Sequence, residues 1–369
     1  MRLSHIKELD GVRGLAIALV IVWHYIGVPL EGEGLFTNII RGVTRLTYSG
    51  VDLFFVLSGF LIGRILMEAK GSTNYFKVFY AKRLFRIFPL YYLLLVGYLV
   101  FIATGLDEWV PWLFGEALPF WPYPLFLQNL FMVDHFGPHF LGISWSLAVE
   151  EQFYLLLPLT IFLLPRKYVP WIAIAGILAA PVVRYILPGQ LGFVVLFARM
   201  DSLLAGTLLA WMYLDDGVWA KVKEYSKWLW LPLLGCIAAA ALLSMRIISY
   251  GPLNPSMLAL LYASIVAIAL ARPDSGVATG LRARWLAYLG KVSYGVYIYH
   301  QVVAGVVFQA VLGTEPGVGS IPELLTTSLC IAITMGVATV SFYWFEKPIL
   351  RPGKRFQYHK PEAATNSNA

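Results

Sequence analysis

Residues 10–30 read DGVRGLAIALVIVWHYIGVPL. At about 1.5 Å per residue, a helix of this length crosses a hydrocarbon core of about 30 Å. The run carries one cation near its start, Arg13, and one histidine, His24, deep inside it. The two are eleven residues apart. At about 100° per residue this spacing returns to the same helix face within roughly 20°, with an axial separation of roughly 16 Å. With Arg13 at one membrane surface, His24 lies near the midplane. A titratable ring is costly there, and such residues line cavities or pathways. The other helices are therefore expected to surround an Arg-to-His track on this first helix. Trp23, His24 and Tyr25 interrupt the run and no small-residue cleavage site follows, so it does not read as a signal peptide.

The rest of the chain has the same character. Of 369 residues, 59% are apolar and 13% are charged, and the mean hydropathy is +0.70. A soluble domain carries about a quarter of its residues as charges. The expectation is an all-α integral membrane protein, a bundle of about ten transmembrane helices. The spans fall near residues 12–30, 48–67, 87–104, 146–164, 168–187, 191–213, 228–247, 255–271, 285–312 and 322–345. The stretch from Pro119 to Met132 is also apolar, but its prolines and aromatics favour a re-entrant or interfacial segment. With a cytoplasmic N-terminus, inside segments hold 22 Lys and Arg residues, and outside loops hold only Arg41, Arg45, Arg184 and Arg246. This positive-inside bias places both termini in the cytoplasm. It accounts for the net charge of +7 without a nucleic-acid partner. The partners expected from composition are membrane lipids. Residues 1–348 form the membrane domain, and residues 349–369 a basic tail expected to be disordered. Cys236 and Cys330 both lie in apolar spans, so neither a disulfide framework nor a metal cluster is indicated.

Polar groups inside the spans carry the functional information. His24 suits proton transfer near neutral pH, and its structural alternative is a hydrogen bond between helices. Asp10 and Arg13 are three apart and can pair on one face. Arg83 and Arg86 share a face at the start of the third span, either as lipid anchors or as bidentate phosphate ligands. Asp52 lies near one end of the second span. Ser58, beside Gly59, reads first as a close helix approach. Glu150 and Glu151 point in different directions, so at least one faces the bundle. Arg199 and Asp201, in an otherwise apolar run, require partners on other helices. The ninth helix holds GKVSYGVYIYH, ending at His300, and Lys291, Ser293, Tyr294 and Tyr297 make it polar-lined, while Glu346 ends the tenth. The aromatic loop from Gly105 to Ile143 suits either the headgroup layer or a sugar-stacking surface.

Seven segments occur in order from Leu9 to Pro348: LDGVRGLAIALVIVWH, GVDLFFVLSGFLI, KRLFRIFP, SWSLAVEEQFYLLLP, RMDSLLAG, LGKVSYGVYIYH and SFYWFEKP. Together they resemble the membrane acyltransferase-3 family. The resemblance implies an O-acyltransferase of a bacterial cytoplasmic (inner) membrane that moves an acyl group, usually acetyl from acetyl-CoA, to a hydroxyl. The acceptor would be a carbohydrate or lipid-linked glycan, such as exopolysaccharide, O-antigen, glycolipid or macrolide. It also implies that His24 is the catalytic histidine, with Arg13 and Glu150 in the same machinery. Arg83, Arg86 and Arg13 would serve the acyl-CoA donor, and no permanently bound cofactor or metal is implied. Some members carry a fused esterase-like domain, which is not expected here. In the corresponding mechanism, His24 takes the acceptor proton or becomes acylated, Glu150 orients His24, and Tyr or Lys groups of the ninth helix stabilise the oxyanion. The rival class is a proton- or anion-coupled transporter using the same buried groups, although no inverted repeat is visible. A non-catalytic lipid-binding scaffold is the third reading.

Overall fold

A computed structural model describes residues 5–245, 247 and 251–359. Among these residues there are ten helices long and apolar enough to cross a membrane. They are α1 (Lys7–Gly27), α2 (Gly50–Ala69), α3 (Tyr75–Ala103), α4 (Trp145–Leu163) and α5 (Val169–Ile186). They continue with α6 (Leu196–Leu214), α7 (Trp230–Ser244), α8 (Asn254–Ala271), α9 (Arg284–Leu312) and α10 (Ile321–Ser341). Each overlaps one of the ten spans read from the sequence. No strand occurs among the described residues. The chain is an all-α, multi-pass integral membrane protein.

Two helices extend beyond their apolar windows. α3 begins at Tyr75 rather than near residue 87, because Ala81-Lys82-Arg83-Leu84 favours helix although its charges depress hydropathy. Arg83 and Arg86 therefore lie well inside a helix rather than at its mouth. α10 passes through a π turn at Phe342–Glu346 into a further helix, Lys347–Gly353. The chain then lies against the turn between α2 and α3. Thr73 N–H donates to the His359 carbonyl (3.0 Å), His359 N–H to Asn74 Oδ1 (3.0 Å), and Asn74 Nδ2 to the Gln357 carbonyl (2.8 Å). Residues 349–359, assigned to the tail by composition, are thus tied to the bundle, and residues 360–369 lie outside the described residues.

The most enclosed helix is α2 rather than α1. In its apolar window 78% of residues are buried, against 44% for α1. The reason is steric. Gly59 of α2 meets the Leu203 carbonyl, and Gly206 of α6 meets the Val56 carbonyl, each so closely that a Cβ would lie within 1.9 Å of oxygen. Small residues let backbones approach in lipid, where no hydrophobic effect drives helices together. α1 and α9 pack in the same way. A Cβ on Gly290 would lie 2.0 Å from the Asp10 carbonyl, and one on Gly14 2.0 Å from that of Leu286. This crossing sets α1 and α9 side by side with His24 and His300 at one level.

One end of the bundle gathers the N-terminal start of α1, the turn after α2, and the chain after α10. Arg282 binds Glu8 there (2.8 Å), and Lys70 donates to the carbonyls of Ile161 (2.6 Å) and Leu164. We call it the N-terminal face. At the opposite face, the segment between α3 and α4 folds back into the bundle without a regular span. Gln128 and Asn129 are fully buried in it. Gln128 donates to the Ser144 carbonyl (2.9 Å), and Gln152 on α4 donates to Asn129 Oδ1 (2.8 Å). Side-chain amides satisfy the irregular backbone where water is absent.

Candidate active site

A cavity of about 280 Å³ lies inside the bundle. Its polar lining comes from five helices: Arg13 of α1, Ser58 of α2, Arg83 and Arg86 of α3, Ser146, Glu150 and Tyr154 of α4, and Ser293, Tyr294 and Tyr297 of α9. The apolar wall is mostly one face of α2, from Val51 to Ile65. At about 1.5 Å per residue the chamber is roughly 20 Å long.

The charges in the chamber are unbalanced. Three guanidiniums act on one another and on one lining carboxylate, Glu150. Arg13 also pairs with Asp10 at 3.4 Å, and Asp10 takes a second contact from His5 at 2.7 Å. No ion pair within 4.0 Å joins Glu150 to Arg83 or Arg86 among the described residues. Excess positive charge in a low-dielectric chamber attracts anions. Hydroxyls complete the wall. Ser58 and Tyr154 are hydrogen-bonded (2.6 Å), Tyr294 donates to the Ile87 carbonyl (2.7 Å), and Tyr297 bonds Ser146 (2.6 Å) and the Ile143 carbonyl (2.6 Å).

A second cavity, of about 550 Å³, opens beside the first at the N-terminal face. Lys82, Arg83, Phe85, Arg86, Lys354, Phe356 and Gln357 line it. Arg83 and Arg86 line both cavities and form the boundary between them. Four cations, two aromatic rings and an amide surround this outer space, and among the described residues no carboxylate lines it.

His24 sits beyond the far end of the chamber. The α-helix of α1 gives way at Trp23–Gly27 to a π turn, in which Val28 N–H reaches the Trp23 carbonyl (2.8 Å). His24 is the second residue of that turn, and its ring is not part of the chamber lining that includes Arg13. π turns of this kind often occur at functional sites. Two rings link His24 to the chamber. Tyr297 lines the chamber and lies 5.9 Å from His300, and His300 lies 4.8 Å from His24, centroid to centroid.

The expected Glu150–His24 pairing is not made. His24 Nδ1 is bonded to the Val20 carbonyl (3.0 Å), while Glu150 faces Ser58, Tyr154 and the arginines. The register between α1 and α4 decides this, and a single sequence does not encode that register locally. Lys291 is also away from the chamber. It is exposed and bonds Tyr343 (2.7 Å), so it cannot serve an oxyanion there. Glu346 reaches back toward Gly295 of α9 and accepts from Ser341 (3.4 Å).

Asp52, Arg199 and Asp201 form a separate buried network. Arg199 donates to Asp52 (2.6 Å), which also accepts from Ser202 (3.0 Å). Asp201 accepts from Arg184 (2.9 Å) and Ser256 (2.7 Å). The expected partners on other helices are present, and they stitch α2, α5, α6 and α8 together. Sequence reading missed Tyr154, Lys82, Lys354, Phe356, the buried amides Gln128 and Asn129, and the half-buried Gln152. Tyr154 was legible as the residue one helical turn beyond Glu150. The others become significant only when distant segments meet.

The sequence that builds this site has known relatives. Residues 6–343 match the family described as "Acyltransferase domain", and the chain belongs to that family of acyltransferases. Among curated relatives, the peptidoglycan O-acetyltransferase OatA of Listeria monocytogenes is 27% identical over 95% of this chain and 56% of its own length. The O-acetyltransferase OatA of Staphylococcus aureus is 29% identical over 95% of this chain and 58% of its own. The chain thus spans a little over half the length of these relatives. No solved structure matches it.

Proposed function

We propose that this protein is a membrane O-acetyltransferase that takes its acyl group from acyl-CoA at a cytoplasmic N-terminal face and delivers it to a glycan hydroxyl. The observation that carries this reading is the pair of adjoining cavities bounded by Arg83 and Arg86. A bulky, cationic, aromatic-lined space beside a narrow buried chamber fits a ligand with an anionic nucleotide head and a thin arm. In this reading Lys82, Lys354, Arg83 and Arg86 hold phosphates, and Phe85 and Phe356 flank the base. The arm runs past Arg13 and Glu150 toward Tyr297. Glu150 offsets part of the arginine charge, which keeps an empty chamber stable.

His24 is the general base of this proposal. A carbonyl only accepts, so the Val20 contact puts the proton on Nδ1 and leaves the lone pair on Nε2. As the acceptor oxygen attacks the thioester carbon, its proton moves to Nε2 and the carbon–sulfur bond breaks. The thiolate then takes that proton and leaves as the free thiol. The names of the relatives favour a peptidoglycan or similar polysaccharide acceptor, reached from the face opposite the donor.

The test uses purified protein in detergent, radiolabelled acetyl-CoA, and N-acetylchitotetraose as acceptor. Wild type is expected to transfer label, and His24→Ala to lose about 100-fold or more, the scale of general-base catalysis. Transfer retained by a folded His24→Ala protein removes His24 from the chemistry. Absence of acetyl-CoA binding by wild type overturns the donor assignment.

A further inference from the structure

The chamber ends in a wall of packed rings. α2 lines it from Ile65, nearest the N-terminal face, to Val51, nearest the opposite face. At that far end the lining is Val51, Phe54 and Phe55 of α2, Ser146 and Leu147 of α4, and Tyr297 of α9. All of these are buried except Phe54, which is partly buried. Phe54 and Tyr297 meet edge to face, with 6.4 Å between ring centroids and 70° between planes. Tyr297 is pinned there, because its hydroxyl bonds Ser146 (2.6 Å) and donates to the Ile143 carbonyl (2.6 Å). Phe55 is backed by the Trp145 ring at 6.0 Å and by the Arg199 guanidinium at 5.8 Å, which Asp52 holds. A wall packed in this way resists added volume. Phe54 is its least enclosed member.

The length of the chamber can be set against the length of an acyl-CoA arm. Pantetheine has the bond count of about four peptide residues, so it spans about 15 Å from phosphorus to sulfur when extended. The chamber, from Ile65 to Val51, is roughly 20 Å long. With the diphosphate at Arg83 and Arg86, roughly 5 Å remains beyond the sulfur. An acetyl group takes up about 3 Å of this, and each further pair of carbons adds about 2.5 Å. Acetyl therefore fits in front of the wall, butyryl reaches it, and hexanoyl overruns it.

We propose that Phe54 sets the acyl length this protein accepts, its ring against Tyr297 forming a stop that an acetyl methyl reaches and a longer chain does not pass. The inference rests on the reading of the chamber as the channel for the acyl-CoA arm. A longer chain either lifts the diphosphate away from the arginines or crowds the ring pair, and both weaken its binding and its transfer. Acetyl and butyryl carry the same charge and the same carbonyl, so the discrimination is steric. One methylene in an apolar pocket is worth about 10- to 200-fold.

The experiment measures kcat/KM for acetyl-, butyryl- and hexanoyl-CoA in wild type, Phe54→Ala, Phe54→Leu and Leu61→Ala, with N-acetylchitotetraose as acceptor. Calorimetry gives Kd for the same donors and requires no acceptor. Wild type is expected to favour acetyl-CoA over butyryl-CoA by at least about tenfold in both measurements. Phe54→Ala, which removes the stop, is expected to bring the two donors within about threefold and to admit hexanoyl-CoA. Phe54→Leu, the milder change to the fold, is expected to fall between. Leu61→Ala widens the chamber about two helical turns nearer the arginines and is expected to keep the wild-type ratio. Equal use of acetyl- and butyryl-CoA by wild type would overturn the proposal. So would a wild-type ratio in whichever Phe54 variant still transfers acetyl, or an equal relaxation by Leu61→Ala. If folded wild type binds no acyl-CoA, the donor reading itself falls, whereas tight acetyl-CoA binding beside an unchanged ratio removes only the role of Phe54.

Discussion

Replacing Asp52 with Ala should destabilise the bundle more than almost any other single deletion of a side chain. Asp52 and Arg199 are both 0% exposed, and their contact of 2.6 Å is the one hydrogen bond made by the Arg199 side chain among the described residues. Arg199 Nε and Nη1 have no partner. In Asp52→Ala a full charge stays in the low-dielectric interior without its hydrogen-bond partner, close to three aromatic rings. The rings of Phe193, Phe55 and Trp145 lie 4.7, 5.8 and 5.9 Å from the guanidinium carbon. Cation–π attraction offsets part of the loss, and breaking a buried pair from one side costs about 3–5 kcal/mol. At 1.4 kcal/mol per tenfold, the folded-to-unfolded ratio falls by roughly two to three and a half orders of magnitude. The assay is the temperature at which half the protein stays monodisperse in detergent, for Asp52→Ala, Arg199→Met and the double variant. Arg199→Met should cost less, because a stranded carboxyl can take up a proton and become neutral. The double variant should recover most of the Asp52→Ala loss, because two apolar side chains replace a pair that was costly to desolvate. The reasoning is refuted if Asp52→Ala melts with wild type, or if the double variant is no better than Asp52→Ala.

Two further predictions complement the one made for His24. Lys354→Ala should raise KM for acetyl-CoA by about 3- to 10-fold, the worth of one exposed phosphate contact, and leave KM for S-acetylpantetheine unchanged. An equal rise for both donors would remove Lys354 from the nucleotide end. Gly206→Ala should cut the yield of folded protein sharply, since the new Cβ would sit 1.9 Å from the Val56 carbonyl, whereas Gly235→Ala, with nothing within 4 Å, should be tolerated. Equal yields would show that α2 and α6 do not cross as closely as described.

The residues that read most clearly in the sequence are those whose meaning is local. Arg83 and Arg86 share a face because they are three apart, and the structure places both on the boundary between the cavities. Gly59 reads as a close approach from its neighbour Ser58 and its apolar surroundings, and it is one. Arg13 and His24 were both legible on the first helix, and the structure adds that Arg13 lines the chamber while His24 is linked to it through His300 and Tyr297. Glu150 was found, but its neighbours were not. It stands among arginines and hydroxyls and is not beside His24, because the depth of one helix against another depends on which carbonyl a glycine meets on its neighbour.

The sequence by itself determined the class and the spans. Apolar runs of membrane length are a property of consecutive residues, and lipid leaves helix as the way for such runs to satisfy their backbone. It also determined that charges lay within those spans, and hence that they needed partners. Only the tertiary structure decided which partners they took. Asp52 met Arg199 across 147 positions, Tyr297 met Ser146 across 151, and Lys354 came to lie beside Lys82. Each meeting depends on the rotation and depth of two helices set by packing between them, and no periodicity within either helix contains that information.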